Sequence, residues 1–339
     1  VRVLAVNAGS SSLKYALFDL AGGEERCVVR DEGDIDAVAR TAADAVPNVV
    51  AHRIVFGGPE HRGPALATPE LVRQLRAFEP FDPLHLSVEL DAVDAMTQAA
   101  PSAVQTLSFD TAFHRALPAV ARALALATSE DPLLQRYGYH GLSYEYIVSA
   151  LGERARGRVI VAHLGSGASM TALRYGSPVE TTMGFSPLGG IVMGTRPGDL
   201  DPGAVLRLLA GYHGDAARLR DELFRHAGLL GVSGTTSDMR ALIAAMDRDE
   251  SAARAVGLFA FSARKAIGAL AAALGGLDRL VFTGGIGEHA PRVRELICTG
   301  LEHLGIALNE PARSRVVVEV IATDEERVLA RHAQALLAR

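Results

Sequence analysis

Cysteine is nearly absent, with Cys27 and Cys298 the only two in 339 residues. Two cysteines cannot build a disulfide framework, which excludes the small secreted scaffolds. No run of basic residues stands out, and 34 Lys+Arg against 39 Asp+Glu give a net charge of −5. A protein that tracks a phosphate backbone needs a basic stripe, so nucleic acid is not an expected partner. Long hydrophobic runs are missing too. The longest apolar stretch, around Ala266 to Leu277, is rich in Ala and Gly and falls short of the roughly eighteen residues of a membrane span. The opening Val-Arg-Val-Leu-Ala-Val reads as a strand with no cleavable signal, and the expectation is a soluble, cytoplasmic protein. Lysine is the scarcest cation: Lys14 and Lys265 are the only two among 34 Lys+Arg, which leaves 32 arginines. A lysine kept in that background marks either chance or a place where a compact ammonium is wanted.

What the chain has in quantity is apolar residues, 49% against 22% charged, enough for two sizeable cores. Short β-branched runs alternate with amphipathic segments, the pattern of an α/β protein. Val3 to Asn7, Lys14 to Asp19, Val49 to Phe56 and Val104 to Phe109 read as strands, as do Val159 to His163, Ser169 to Arg174, Arg279 to Thr283 and Val316 to Ile321. Thr68-Pro69-Glu70, and Asp82-Pro83 ahead of a helix from His85 to Ala99, each read as an N-cap followed by proline. Glu250 to Leu274 is the longest helical segment, and a last helix starts near Asp324. No Pro/Ser-rich linker separates the halves.

An internal echo is the informative feature. Asn7-Ala-Gly9-Ser10-Ser-Ser12-Leu-Lys14 through Leu17 overlays, 156 residues later, His163-Leu-Gly165-Ser166-Gly167 through Leu173. Both read strand, glycine/serine turn, strand, and such a hairpin aims backbone N–H groups and hydroxyls at one point, making an anion-binding concavity. Alone, two Gly-Ser hairpins carry little. A third turn, Thr283-Gly284-Gly285-Ile286-Gly287-Glu288, follows a buried-type strand and opens a helix, which is how a backbone approaches a nucleotide. Three such turns without a Walker sequence point to a nucleotide held in a cleft between duplicated domains.

The motifs that carry a resemblance are Val6-Asn7-Ala-Gly-Ser-Ser-Ser-Leu-Lys14, His52-Arg53-Ile-Val-Phe-Gly-Gly58, Phe109-Asp110-Thr-Ala-Phe-His114, Arg136-Tyr-Gly-Tyr-His140-Gly141, Ala162-His163-Leu-Gly-Ser-Gly167, Met193-Gly-Thr-Arg196-Pro-Gly-Asp199, Ser237-Asp238-Met-Arg240 and Thr283-Gly-Gly-Ile-Gly-Glu288. In this order and over nearly the whole chain, they resemble the acetate kinases, the acetokinase family within the acetate and sugar kinase, heat-shock and actin superfamily. The resemblance implies an α/β, duplicated two-domain actin/hexokinase-like (ribonuclease H-like) fold with an active-site cleft between the domains. Residues 1–115 plus 322–339 would form the acyl-binding and first phosphate domain with a returning C-terminal helix, and 116–321 the nucleotide-binding domain.

It also implies phosphoryl transfer from ATP to acetate, giving acetyl phosphate and ADP with Mg²⁺ or alternatively Mn²⁺. Acetate is already an anion, so no general base is required. The difficulty is bringing one anion onto another, and fixed cations around the transferring group remedy it. By resemblance the catalytic residues are Arg53, Asp110, His140 and Arg196. An arginine drawn at random from 32 would be a surface ion pair, and it is motif context that singles out these two. A structural role competes for His140, and an N-cap role for Asp110. The nucleotide contacts carried over are Ser10, Ser12, Lys14, His163, Gly165, Ser166, Gly167, Asp238, Met239, Arg240, Gly285, Ile286 and Gly287. The acyl pocket is Val55, Leu84, Tyr139 and Pro187, with His85 nearby, and Arg53 meets the carboxylate. Asn7 and Glu325 match the metal positions, although an acidic residue at a helix start is also expected for dipole reasons.

The sequence departs from the family pattern at Ser166, His289, Phe56 and Tyr144, and the chain is shorter, mainly between Asp19 and Val49. Propionate or butyrate kinases and a pyrophosphate-using variant would share most of these motifs. An actin-like assembly protein would keep the three turns but leave Arg53, His140 and Arg196 without a task. Resemblance implies a homodimer.

Overall fold

The computed structural model describes residues 1–9, 13–82, 84–126, 131–308 and 311–338. Strands β1 (Arg2–Ala8), β2 (Leu13–Ala21), β3 (Glu24–Gly33), β4 (Val49–Ile54), β5 (Ala65–Leu66) and β6 (Val104–Phe109) form one sheet in the order β3-β2-β1-β4-β6-β5. Strands β7 (Arg158–Leu164), β8 (Ala168–Arg174), β9 (Ser177–Thr181), β10 (Arg279–Thr283) and β11 (Val317–Val320) form a second in the order β11-β10-β7-β8-β9. In each sheet an antiparallel three-strand meander is followed by two strands parallel to its first. The orders β3-β2-β1-β4-β6 and β9-β8-β7-β10-β11 are one unit used twice, the duplicated ribonuclease H-like architecture that the resemblance implies. Parallel neighbours need crossover helices, and Ile35–Ala45, Leu86–Ala99 and Glu250–Leu274 supply them.

Local chemistry explains most elements. β4 is buried at every position, the reading of a strand covered on both faces. Thr68 caps its helix through a bond from Leu71 N, with Pro69 in the first turn. Asp82 does not cap the helix it precedes, which runs Leu86–Ala99 with His85 at its start. Its carboxylate is instead held by Leu84 N, His85 N and the His85 ring, and Pro83 lies outside the described residues. β3 was not expected, because its sequence, EERCVVRDEG, is mostly exposed and lacks alternation.

The echo is real but shifted. β1 and β2 pair Asn7 with Lys14, whereas β7 and β8 pair His163 with Ser169. The counterpart of Lys14 is therefore Ser169 and not Met170, because the second turn is one residue shorter.

The helix Glu250–Leu274 is long and apolar enough, by length and composition, to cross a membrane. Its face of Val256, Phe259, Ile267, Leu270 and Leu274 is nevertheless buried in the core. The C-terminal helix Glu325–Leu337 lays Val328, Leu329, Ala330 and Ala333 on Val3, Ala5, Ala16, Val49 and Ala51 of the first sheet. The helix Gly141–Leu151 touches both halves: Leu142 joins that cluster, while Tyr144, Ile147 and Leu151 pack with Val159, Val161 and Val281 of the second sheet.

Candidate active site

The strands deliver the charged residues. β1, β4 and β6 are parallel neighbours, so Asn7, Arg53 and Asp110 meet at their carboxyl ends, where sites of α/β sheets gather. Asp110 Oδ2 accepts from Arg53 Nη2 at 2.6 Å and from Nε at 3.0 Å. Arg53 Nη1 donates to Glu89 Oε1 at 3.0 Å and to the Ala8 carbonyl at 3.3 Å. Burial works against the Arg53 charge, but Asp110 and Glu89 outweigh it and hold the guanidinium protonated. Asn7 Nδ2 donates to Glu325 Oε2 at 2.9 Å and to Glu326 Oε1 at 3.1 Å. Glu325 follows the last strand of the second sheet, so this contact joins the carboxyl ends of both sheets. Burial, then the nearby Asp110 charge, pushes the Glu325 carboxyl up to about 7. Asp110 Oδ1 is buried with no hydrogen-bond partner among the described residues.

His140 approaches from the other side. Its backbone is left-handed, with φ of 59°, as it opens the Gly141–Leu151 helix. Gly141 N donates to the Asp110 carbonyl at 3.0 Å, and a Cβ at Gly141 would lie 2.1 Å from that oxygen. Only glycine permits this approach, which ties the His140 motif to the Asp110 motif. The His140 ring stacks on His163 with centroids 4.4 Å apart. Its Nδ1 lies 2.8 Å from Ser169 Oγ, which lies 2.5 Å from the Tyr144 hydroxyl. Burial, then His163, hold the His140 imidazole well below its ordinary range, so it is neutral. His163, 2.8 Å from Ser143 Oγ, is pushed down to about 4, chiefly by burial.

Arg196 is buried and anchored by Nη1 to the Pro187 carbonyl at 2.9 Å. Burial lowers its affinity for a proton, and Asp82 opposes that. The turn 165–167 faces these groups, since a Cβ at Gly167 would lie 2.6 Å from Arg196 Nη2 and 3.2 Å from His140 Nε2. Ser166 accepts from Gly194 N through its carbonyl at 2.9 Å, tying this turn to the Arg196 segment. β7 and β10 are parallel neighbours that pair His163 with Thr283, so the expected third turn lies beside it, where Gly284 to Gly287 already form the start of the helix Gly284–His289. Gly285 faces open space. Ile286 is packed against the core, and the Gly284 N–H is taken by Glu288 Oε1 at 3.0 Å.

Other expected residues are less converged. Val55, Leu84 and Tyr139 are buried, and the Tyr139 hydroxyl donates to the Phe185 carbonyl at 3.0 Å. His85 Nδ1 lies 3.0 Å from both Asp82 oxygens. Lys14 is exposed on β2. Asp238 caps the Met239–Ala245 helix and pairs with an exposed Arg240 at 3.2 Å, with Met239 buried behind them. Ser10 and Ser12 lie outside the described residues.

Of the departures, Phe56 sits in an aromatic cluster, 4.7 Å from Tyr137 and 5.2 Å from Phe78 by ring centroids. Tyr144 joins the chain that ends on His140, and His289 is exposed. Two functional neighbours were not singled out in the sequence. Ser169 carries no pattern of its own. Glu89 does: it is a carboxylate within the apolar stripe Leu86, Leu90, Val93, and burial pushes it up to about 8.

Comparison with known proteins agrees with this fold. The family model described as the acetokinase family matches residues 33–332. An acetate kinase of Rhodopseudomonas palustris (strain TIE-1) is 41% identical, with 97% of each chain covered. One from Methylocella silvestris is 40% identical over 99% of this chain and 98% of that protein. The alignment with the first spans 387 positions against 339 residues, so at least 48 positions have no counterpart here. Among solved structures, Porphyromonas gingivalis acetate kinase superposes with a TM-score of 0.85 at 31% identity, covering 99% of both chains. A propionate kinase from Francisella tularensis superposes at 0.87 with 28% identity, covering 98% of both. With a family match over most of its length and relatives aligned nearly end to end, the chain belongs to the acetokinase family.

Proposed function

We propose that this chain is an acetate kinase, transferring the γ-phosphoryl group of ATP directly to acetate. The observation that carries this reading is the convergence of Arg196 Nη2 and His140 Nε2 on the turn at Gly167, across a cleft from Arg53. A neutral acceptor would call for a base; an anionic one calls for fixed N–H donors, and the cleft is built of these. We assign the Tyr144 phenol, whose proton burial helps to retain, as donor to Ser169, and the Ser169 hydroxyl as donor to His140 Nδ1. That leaves the single imidazole N–H on Nε2, aimed at the place where a transferring phosphoryl would sit. Arg196 stabilises the same group, and Arg53, steered by Asp110, meets the acceptor oxygen. Val55, Leu84, Tyr139 and Pro187 enclose the methyl group.

The family implies a divalent cation, and the residues fit one. Asn7, Glu325 and the unpartnered Asp110 Oδ1 offer hard oxygen ligands, few in number, as Mg²⁺ prefers when it keeps waters and nucleotide oxygens. Mn²⁺ suits the same ligands. When bound, the ion neutralises phosphate charge. Ser10, Ser12 and Lys14, the turn Gly165 to Gly167, and Gly285 to Gly287 at a helix start hold the phosphates, with His163 behind them, and Asp238 to Arg240 flank the base. The acceptor domain is 1–115 with 322–339, and the nucleotide domain 116–321. A cytoplasmic homodimer completes the proposal. The helix Pro202–Gly211 buries no residue and leaves Leu206 67% exposed, which supports a covered face.

Hydroxylamine trapping with ATP, Mg²⁺ and acetate tests the reaction, since an acyl phosphate yields a hydroxamate and an assembly ATPase yields none. The structural likeness to a propionate kinase favours propionate as the second acceptor to try.

A further inference from the structure

Glu89 is a buried carboxylate on the core face of the Leu86–Ala99 helix, 1% exposed. A helix that needed only to pack would place an aliphatic residue there, because burying a carboxylate is costly unless partners compensate. Both of its oxygens are used. Oε1 accepts from Arg53 Nη1 at 3.0 Å, and Oε2 accepts from Val55 N at 2.8 Å. Val55 is the first residue past β4, whose ladder ends at Ile54, so the carboxylate replaces the strand partner its N–H has lost.

The same bonds decide what Arg53 can offer. A guanidinium has five N–H donors. Two go to Asp110, one to Glu89 and one to the Ala8 carbonyl. Among the described residues one Nη2 hydrogen remains, and its direction is fixed because the other four are held. Arg53 and Val55 stand on one strand end, and in the proposed reaction one meets the acceptor's oxygen and the other its methyl group.

We propose that Glu89 is a positioning residue for the acceptor, a single carboxylate that sets the guanidinium of Arg53 and the pocket wall at Val55 in register with each other. This rests on the carboxylate-kinase reading. A residue with that task affects two properties together: turnover, through the aim of Arg53, and acyl-chain selectivity, through the position of Val55. A residue that only filled the core would affect neither in protein that remains folded.

The test compares Glu89→Leu, which removes both anchors, with Glu89→Gln, which keeps one acceptor and the volume. Displacing a group by about 1 Å costs ~100-fold in rate. We expect kcat with acetate to fall ~100-fold in Glu89→Leu and ~10-fold in Glu89→Gln, while KM for ATP stays within about twofold. The propionate-to-acetate ratio of kcat/KM should rise at least about threefold in both, against the ~10- to 200-fold that one methylene can command. If Glu89→Leu does not fold, Glu89→Gln decides. An active parent whose folded variants keep both kcat and the ratio within twofold overturns the proposal alone. A parent that yields no hydroxamate from acetate or propionate overturns the carboxylate-kinase reading, and the proposal with it.

Discussion

Gly167→Ala separates catalysis from folding in this cleft. The new Cβ would lie 2.6 Å from Arg196 Nη2 and 3.2 Å from His140 Nε2. Ordinary contact begins near 3.4 Å, so the tip of Arg196 must retreat by about 0.8 Å. The Gly167 backbone is not left-handed, and the struck atom ends a flexible side chain, so folding has an inexpensive way out. Catalysis does not. A misplacement of that size costs ~100-fold, about 2.7 kcal/mol of transition-state stabilisation, against the ~10³ to 10⁵ of losing such an arginine outright. Thermal stability should hold, because an alanine whose backbone is compatible gains ~0.4 to 1 kcal/mol through the unfolded chain. Hydroxamate formation at saturating acetate and ATP, alongside the Tm of the same preparation, reads both quantities. Turnover within threefold of the parent would show that Arg196 does not act from where it lies. Gly141→Ala is the contrasting control: there the Cβ lies 2.1 Å from a backbone oxygen, which cannot step aside, and the variant should fail to fold.

Glu325→Ala should raise the Mg²⁺ concentration for half-maximal activity by ~10- to 100-fold. Asp324 is the residue that caps the helix, through Arg327 N, so the stability loss should stay below about 1 kcal/mol; an unchanged magnesium dependence would refute the metal role. Val55→Ala should raise kcat/KM for propionate relative to acetate by ~10-fold, and an unchanged ratio would show that Val55 does not face the acyl chain. Burial pushes His52 and His163 down to about 4 and His114 to about 3, and holds His140 well below 6.5. Their unfolded forms take up protons below about 6.5, so the stability they contribute is complete above that pH and is lost on acidification toward 4. The raised carboxyls of Glu89 and Glu325 have the opposite sign, contributing fully below their unfolded value and losing ground as pH rises through about 8 and about 7. With His61 also lowered by burial, the depressed imidazoles outnumber the raised carboxyls, so unfolding takes up protons and stability should fall as pH drops from about 6.5 to about 4.5. A urea midpoint that stays level across that interval would contradict it.

The fold was legible where burial dictates residue type. Val49 to Ala51 of β4 and Leu280 to Phe282 of β10 are apolar because both faces are covered, and the Glu250–Leu274 helix announces its start with Asp249 and its end with Gly275. Legibility stopped where burial stops. β3 is an exposed edge strand held by pairing with β2, and its residues satisfy no periodicity because none is needed. The helix start was legible to within one residue, Leu86 against His85, but its cap was not: the Asp82 carboxylate is taken by Leu84 N, His85 N and the His85 ring three residues on. The one-residue slip in the echo has a similar origin: hairpin register is fixed by turn length, and an ungapped overlay cannot see a turn shortened by one.

The site divides along another line. Residues that reach the cleft from strand ends and glycine turns were legible through the family motifs that carry them, and the structure shows why they converge: Asn7, Arg53 and Asp110 lie at the ends of three parallel neighbours. Residues that hold those groups in place were not. Ser169 and Glu89 sit in positions whose sequence context is ordinary, Tyr144 stood out only as a departure from the family pattern, and the contacts of all three exist only once distant elements pack together. Glu89 is the partial exception, since a carboxylate in an apolar stripe has no reason to be buried unless a cation or an unpaired N–H awaits it. Here both do, and they stand two residues apart at the end of β4. A site's reactive groups can thus be read from the elements that carry them, whereas their aim is a tertiary property, set by second residues that the local pattern has no cause to mark.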